Sequence, residues 1–170
     1  MRSLRLILPV VAIVAALVAG RVGLPGADPA GPSTKGGRTV AKVTKNTDGD
    51  TLRLSGIGRV RLIGVDTPEV YGGVECYGRE ASAFTKHVLP PGTQVAYRLG
   101  PEPRDRYGRA LAYLWLRDGR FFNEMLVDRG YAQVLTIPPN VDQADRFRAA
   151  QRRARDAGRG LWSPRTCNGT

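Results

Sequence analysis

The sequence predicts an α+β fold, mainly β: a small barrel of five short strands with three helices around it. Three observations predict it. Apolar and polar residues alternate over several short runs, turn signals punctuate those runs closely, and two further stretches repeat apolar residues every three or four positions. A length of 170 residues favours one domain with a modest core.

The first strand is read at 39–45, where Val40 and Val43 are the apolar positions. The second, 51–54, alternates cleanly; 55–58 supply a turn; a third strand follows at 60–65. Such a meander has the turn signals of a small antiparallel sheet. Residues 80–89 read as a helix with Ala81, Phe84 and Val88 on one face, stopped by Pro90 and Pro91. A fourth strand is expected at 94–99, a polar loop at 100–108 and a fifth strand at 110–116, ending at the turn residues Asp118 and Gly119. A short helix over 122–128 closes at Gly130. The longest helix, 142–157, spaces Ala144, Phe147, Ala150, Ala154 and Ala157 by three and four. Arg146, Arg148, Arg152, Arg153 and Arg155 occupy the rest of it, either as a solvated face or as a face for DNA. Five short strands, antiparallel in flavour and interleaved with three helices, point to a barrel of the OB type.

Ahead of this region the texture differs. Arg2 and Arg5 precede an uncharged apolar stretch over 6–20, which matches a signal h-region and is short for a membrane span. Residues 1–27 are therefore read as a signal peptide or an N-terminal membrane anchor, and 28–38, rich in Gly, Pro and small polar residues, as a flexible linker. The domain is expected at 39–165, with 166–170 as a tail. The bulk of the protein is expected outside the cytoplasm, secreted or anchored to the outer face of the cytoplasmic membrane.

Lys and Arg number 26 against 15 Asp and Glu, a formal charge of +11. Setting 1–27 aside removes Arg2, Arg5 and Arg21 and leaves 23 against 15, so the domain itself is basic. Such a surface suits a polyanion, since binding releases the polyanion's counterions; a basic protein with no nucleic-acid role fits charge alone equally well. Two cysteines, Cys76 and Cys167, form no C-x-x-C motif. One disulfide suits an exported chain; two unrelated thiols are the alternative. With His87 as the single histidine, serine-type triads and His-based zinc sites have almost nothing to draw on.

The acids are more informative. Asp48, Asp50, Asp66 and Glu69 fall within 22 residues of a chain with eleven other acids. Asp50 starts one expected strand and Asp66 ends the next, so antiparallel pairing would bring them together. Paired carboxylates need compensation, which a hard, oxygen-seeking cation such as Ca2+ supplies, and Thr67 can add a backbone carbonyl. Pro68 fixes the turn that carries Glu69 past the strand end. Arg59 and Arg61 share a strand face with Ile63 and Val65, an expensive place for a cation unless an anion sits there. Arg109 precedes the fifth strand at the mouth of the expected barrel. Two arginines beside a carboxylate-bound cation would clamp a phosphodiester through their forked donors.

The strings DGDT (48–51), RLIGVDTPE (61–69), YGREASAFTK (77–86), DRYGRALAY (105–113) and GLWS (160–163) resemble the thermonuclease, or staphylococcal nuclease, family, in the same order from about residue 39 to 163. The resemblance implies an OB-fold barrel with three helices and Ca2+-dependent hydrolysis of DNA and RNA to 3′-phosphates, by a chain expected to be a monomer. It implies metal binding by Asp50, Asp66 and the Thr67 carbonyl, Glu69 as general base, Arg61 and Arg109 as phosphate-binding arginines, and Tyr107 near the substrate phosphate. The sequence departs from the family in a shorter loop after Glu69, and in Thr136 where a tyrosine packs on the nucleotide base. A binding module that does not cut is the rival reading, and a structural envelope protein a second; every catalytic position being filled argues against both.

Overall fold

The structure, a computed structural model, describes residues 34, 35 and 37–167. The 1–27 segment lies outside those residues, as do 28–33 and 36 of the expected linker. In chain order the elements are β1 (Thr34–Lys35), β2 (Arg38–Asn46), β3 (Thr51–Leu54), β4 (Gly58–Leu62), β5 (Val65–Asp66), α1 (Gly78–Val88), β6 (Gln94–Arg104), β7 (Ala110–Leu116), α2 (Phe122–Asp128), β8 (Gln133–Val134), α3 (Ala144–Asp156) and a 3-10 turn (Gly160–Trp162).

Five strands, in the order β2-β3-β4-β7-β6, form a barrel that closes where β2 pairs with β6. Closure depends on β2 serving two partners. Its first half, Thr39 to Lys42, pairs with β6, and its second half, from Val43, pairs with β3. A bulge between Val43 and Lys45 bends the strand between these roles. Alternate residues turn inward, so Val43, Leu52, Leu54, Val60, Leu62 and Leu114 are buried in one core. Truncating any one of these leucines to alanine is expected to cost about 2–5 kcal/mol.

Sequence and structure part at three places. The strand expected at 60–65 is broken. Gly64 adopts φ +78°, and a Cβ there would strike the Phe147 ring, so the chain turns at Gly64 and leaves β5 to pair with β8 in a separate ladder. The buried Asn123 of α2 seals the break: its amide donates to the Ile63 carbonyl at 2.9 Å and its oxygen accepts from Leu114 N–H at 2.9 Å. Second, β6 runs on through the expected loop to Arg104. Its prolines tolerate this because that half meets β7 only at Arg104 and Ala110, after a register shift. Third, the sheet is mixed, because β4 and β7 run parallel; α1 and β6 intervene and return the chain in the same direction.

On α1, Ala81 is buried as expected, with Phe84 and Val88 partly so; Ser82 and Thr85 are buried beside them. On α3, Phe147, Ala150 and Ala154 face inward, whereas Ala157 is exposed at the helix end. Four of the α3 arginines have partners within the chain. Arg146 pairs with Glu124 at 2.6 Å, Arg153 with Asp128 at 2.7 Å, Arg148 with Asp145 at 2.8 Å, and Arg155 lies over the Trp162 ring. Cys76 and Cys167 form a disulfide, with Cα atoms 5.9 Å apart, joining the segment before α1 to the chain after the 3-10 turn.

Candidate active site

The site begins in the loop between β2 and β3. The Asp48 carboxylate folds back to accept the N–H groups of Asp50 at 3.1 Å and Thr51 at 2.7 Å. Thr85 of α1 donates to the Gly49 carbonyl at 2.6 Å and pins the loop from behind. Burial, reinforced by the nearby Asp50 charge, pushes the Asp48 carboxyl up to about 6. Asp50, only 5% exposed, is thereby fixed at the mouth of the barrel. One of its oxygens accepts both the Thr67 N–H at 2.8 Å and the Thr67 hydroxyl at 3.0 Å. The other meets the Thr51 hydroxyl and Arg61 Nε, each at 3.2 Å.

Arg61 is the hub. Besides Asp50, its Nη1 donates to the carbonyls of Leu62 at 3.0 Å and Val65 at 2.6 Å, and its Nη2 to Asp66 at 2.7 Å. The expected meeting of Asp50 and Asp66 therefore occurs by another route. Asp66 lies on β5, beyond the Gly64 turn, and the two aspartates meet across one guanidinium rather than as hairpin neighbours. Burial, with Asp50 and Glu75 close by, outweighs Arg61 and lifts the Asp66 carboxyl above its usual value.

Arg109 sits in a different setting. Asp105 shapes the turn between β6 and β7 by accepting the N–H groups of Tyr107 and Arg109, both at 2.9 Å, and it takes Arg109 Nε at 2.6 Å. Desolvation opposes ionisation of Asp105, but these bonds hold its carboxyl below the usual range. Both Nη groups of Arg109 stay outside that pair. Arg61, Arg109 and Tyr107 line one groove of about 460 Å³, with Leu111, Leu135 and Ile137 along its apolar side. Tyr107 stands 64% exposed on the rim. Thr136 is not a wall of the groove; its neighbours Leu135 and Ile137 are, so the position expected to stack on a base is an aliphatic surface. Asn140 holds that wall against β6 by exchanging two hydrogen bonds of 3.0 Å with the Glu102 backbone.

The structure thus joins Asp50, Asp66, Thr67 and Arg61 in direct contact, and Arg61, Arg109 and Tyr107 in one groove. Glu69 stands apart: its carboxylate is exposed and makes no hydrogen bond or ion pair among the described residues. A second cleft, lined by Asp66, Thr67, Pro68, Glu75, Cys76 and Gln133, opens beside it. Donor chemistry decides what cation the acids suit. Asp50, Asp66 and the Thr67 carbonyl are all oxygen donors, and both thiols are consumed in the disulfide, so a hard ion such as Ca2+ fits and a soft one does not. Among the described residues no three acidic, histidine or cysteine side chains gather as a cage, which leaves further positions to water and substrate. Sequence reasoning missed Asp105, Glu75 and Gly49. Only Gly49 left a signal, as the glycine between two aspartates; a Cβ there would stand 2.7 Å from the Thr67 hydroxyl.

Comparison with known proteins gives the family. The family model of staphylococcal nuclease homologues matches residues 59–164. The chain is 39% identical over 128 residues to the thermonuclease of Staphylococcus hyicus, covering 72% of this chain and 75% of that protein. It is 40% identical over 126 residues to the thermonuclease of Staphylococcus intermedius, covering 71% and 74%. Endonuclease YhcR of Bacillus subtilis strain 168 is 33% identical over 149 residues, covering 79% of this chain but 12% of that protein.

Proposed function

The chain belongs to the family of staphylococcal nuclease homologues and is a nuclease, and from that premise we propose that it hydrolyses phosphodiester bonds of DNA and RNA in a Ca2+-dependent reaction. The observation that carries this reading is the Arg61 guanidinium bridging Asp50 and Asp66 at the edge of a groove that also holds Arg109. Asp50, Asp66 and the Thr67 carbonyl would hold the ion. When bound, calcium supplies positive charge against the scissile phosphate and the charge that develops on it.

The chain's own groups do the rest. Glu69 takes the proton of the water that attacks phosphorus, and its exposure leaves that water free to reach it. Arg109 directs its two Nη groups at the phosphate oxygens, and Arg61 adds the donor capacity that its aspartates leave over; both gain strength as negative charge builds. The 5′ oxygen leaves, taking a proton from solvent, and the phosphate stays on the 3′ side. Tyr107 and the aliphatic wall receive the sugar and base. With Thr136 in place of a tyrosine, stacking weaker by about 1–3 kcal/mol per base is expected at that position.

The protein acts outside the cytoplasm, as a monomer, delivered by the 1–27 segment as a cleaved signal or a retained anchor. The export reading is supported by the disulfide, which persists in oxidising compartments. The test is a plasmid-nicking assay on the purified chain with calcium or with EDTA. Nicking in calcium that EDTA abolishes is expected; full activity in excess chelator would remove calcium from the account. End-group analysis of the products checks the 3′-phosphate.

A further inference from the structure

Between Glu69 and α1 the chain makes an exposed excursion that touches the β2–β3 loop where the Tyr71 hydroxyl donates to the Thr47 carbonyl at 3.2 Å. Tyr71 and Val74 are exposed, and Gly72 and Gly73 bring no side chain. Two hydrogen bonds close it at the base. The Glu69 N–H donates to the Glu75 carboxylate at 2.9 Å, and the Glu75 N–H donates to the Glu69 carbonyl at 2.9 Å. Both backbone polar groups of Glu69 are thus held by one residue. The far side of that peptide is walled, since a Cβ on Gly78 would lie 2.5 Å from the Glu69 carbonyl oxygen. The residue after Glu75 is Cys76, tied through the disulfide to a tail whose Thr166 hydroxyl donates to the Gly160 carbonyl at 2.6 Å.

Resting on the reading of Glu69 as general base, we propose that Glu75 is a positioning residue for it, fixing the Glu69 backbone so that the base is presented at one place. Among the described residues the Glu69 carboxylate has no side-chain partner, so the backbone alone sets where its side chain starts. A displacement of about 1 Å at a reacting group can lower a rate on the order of 10²-fold, so a strap of two bonds is enough to matter. Glu75 acts here as a hydrogen-bond acceptor, and Gln, whose amide oxygen accepts the same N–H, should replace it. The competing role is its charge beside Asp66, in which case Gln would fail as badly as Ala.

The experiment measures kcat and KM of the full chain on single-stranded DNA in calcium, with melting temperature as the control. Glu75→Ala is expected to lower kcat about tenfold at unchanged KM, and Glu75→Gln to stay within about twofold of the parent, both with the parent's melting temperature. Glu75 is exposed, so neither change threatens the fold. Adding Glu75→Ala to Glu69→Gln should cost nothing further, because no base remains to be aimed. Unchanged kcat in Glu75→Ala, or equal losses in the Ala and Gln variants, overturns the proposal while leaving Glu69 as base intact. Near-parent kcat in Glu69→Gln alone defeats the base reading and this proposal with it.

Discussion

Arg61 and Arg109 line one groove, carry the same side chain and are each held by a carboxylate, yet the structure treats them differently. Arg61 is built in. Its side chain is 13% exposed, and its Nε, Nη1 and Nη2 are all engaged by Asp50, Asp66 and two carbonyls. Arg109 is only steadied. Asp105 takes its Nε, and the Nη groups lie outside that pair on a side chain 23% exposed. The difference teaches that two arginines lining one groove need not form a symmetric clamp. One is a cation built between two aspartates; the other is a fork whose Nη groups lie outside its ion pair.

The largest effect that comparison predicts is for Arg61→Ala. It strands Asp50, whose side chain is 7% exposed, and should cost about 3 kcal/mol of stability together with a fall in kcat on the order of 10³-fold. Chemical denaturation and single-turnover assays measure the two losses. Calcium should return part of the lost melting temperature by replacing the missing cation, and a variant whose melting temperature ignores calcium would break the account of Arg61. Arg109→Ala comes next: kcat should fall on the order of 10²-fold while unfolding free energy changes by less than about 1 kcal/mol. Equal destabilisation by the two alanine variants would erase the distinction.

Gly49→Ala probes the Arg61 side without touching a charge. Its Cβ must push Thr67 away from Asp50, so a stability loss of about 1–3 kcal/mol is expected by denaturant titration. The smallest effect is expected for Asp105→Asn, roughly fivefold in kcat/KM and about 1 kcal/mol or less in stability. Its pH dependence sharpens the point. The Asp105 carboxyl is held below its ordinary 3.8, so its contribution is complete above that value and is lost as pH falls through the lower, folded one. The stability gap between parent and Asp105→Asn should therefore be flat above about pH 5 and close below it.

Much of this was legible in the sequence. The barrel strands and helices announced themselves because period-two and period-three-to-four patterns report burial directly, as at Thr51–Leu54 and Ala144–Asp156. The acids of the site were legible because four carboxylates crowded into one stretch demand a partner. What stayed hidden depends on long-range contact. Gly64 breaks a strand because Phe147 covers it from α3, and Asn123 heals the break from α2. The pairing of β5 with β8 joins residues far apart in the chain, which no local pattern encodes. Asp105 looked like one more acid in a polar loop, since what sets it apart is three hydrogen bonds from its own turn. Glu75 gave no sign for the same reason: its role lies in two backbone bonds to Glu69.

The parallel seam between β4 and β7 has a consequence in time as well as in space. In its register Val60 faces Ala110 and Arg61 faces Leu111, so Arg109, one residue before β7, lines the same groove as Arg61 only because that seam has closed. The hairpin of β3 and β4 can gather Asp50 and Arg61 from neighbouring sequence, but the seam must first meet the entropy of a long loop, and such closures are slow. A newly made chain therefore carries its acids and its fork apart, and the groove that holds both is complete only when that seam has formed.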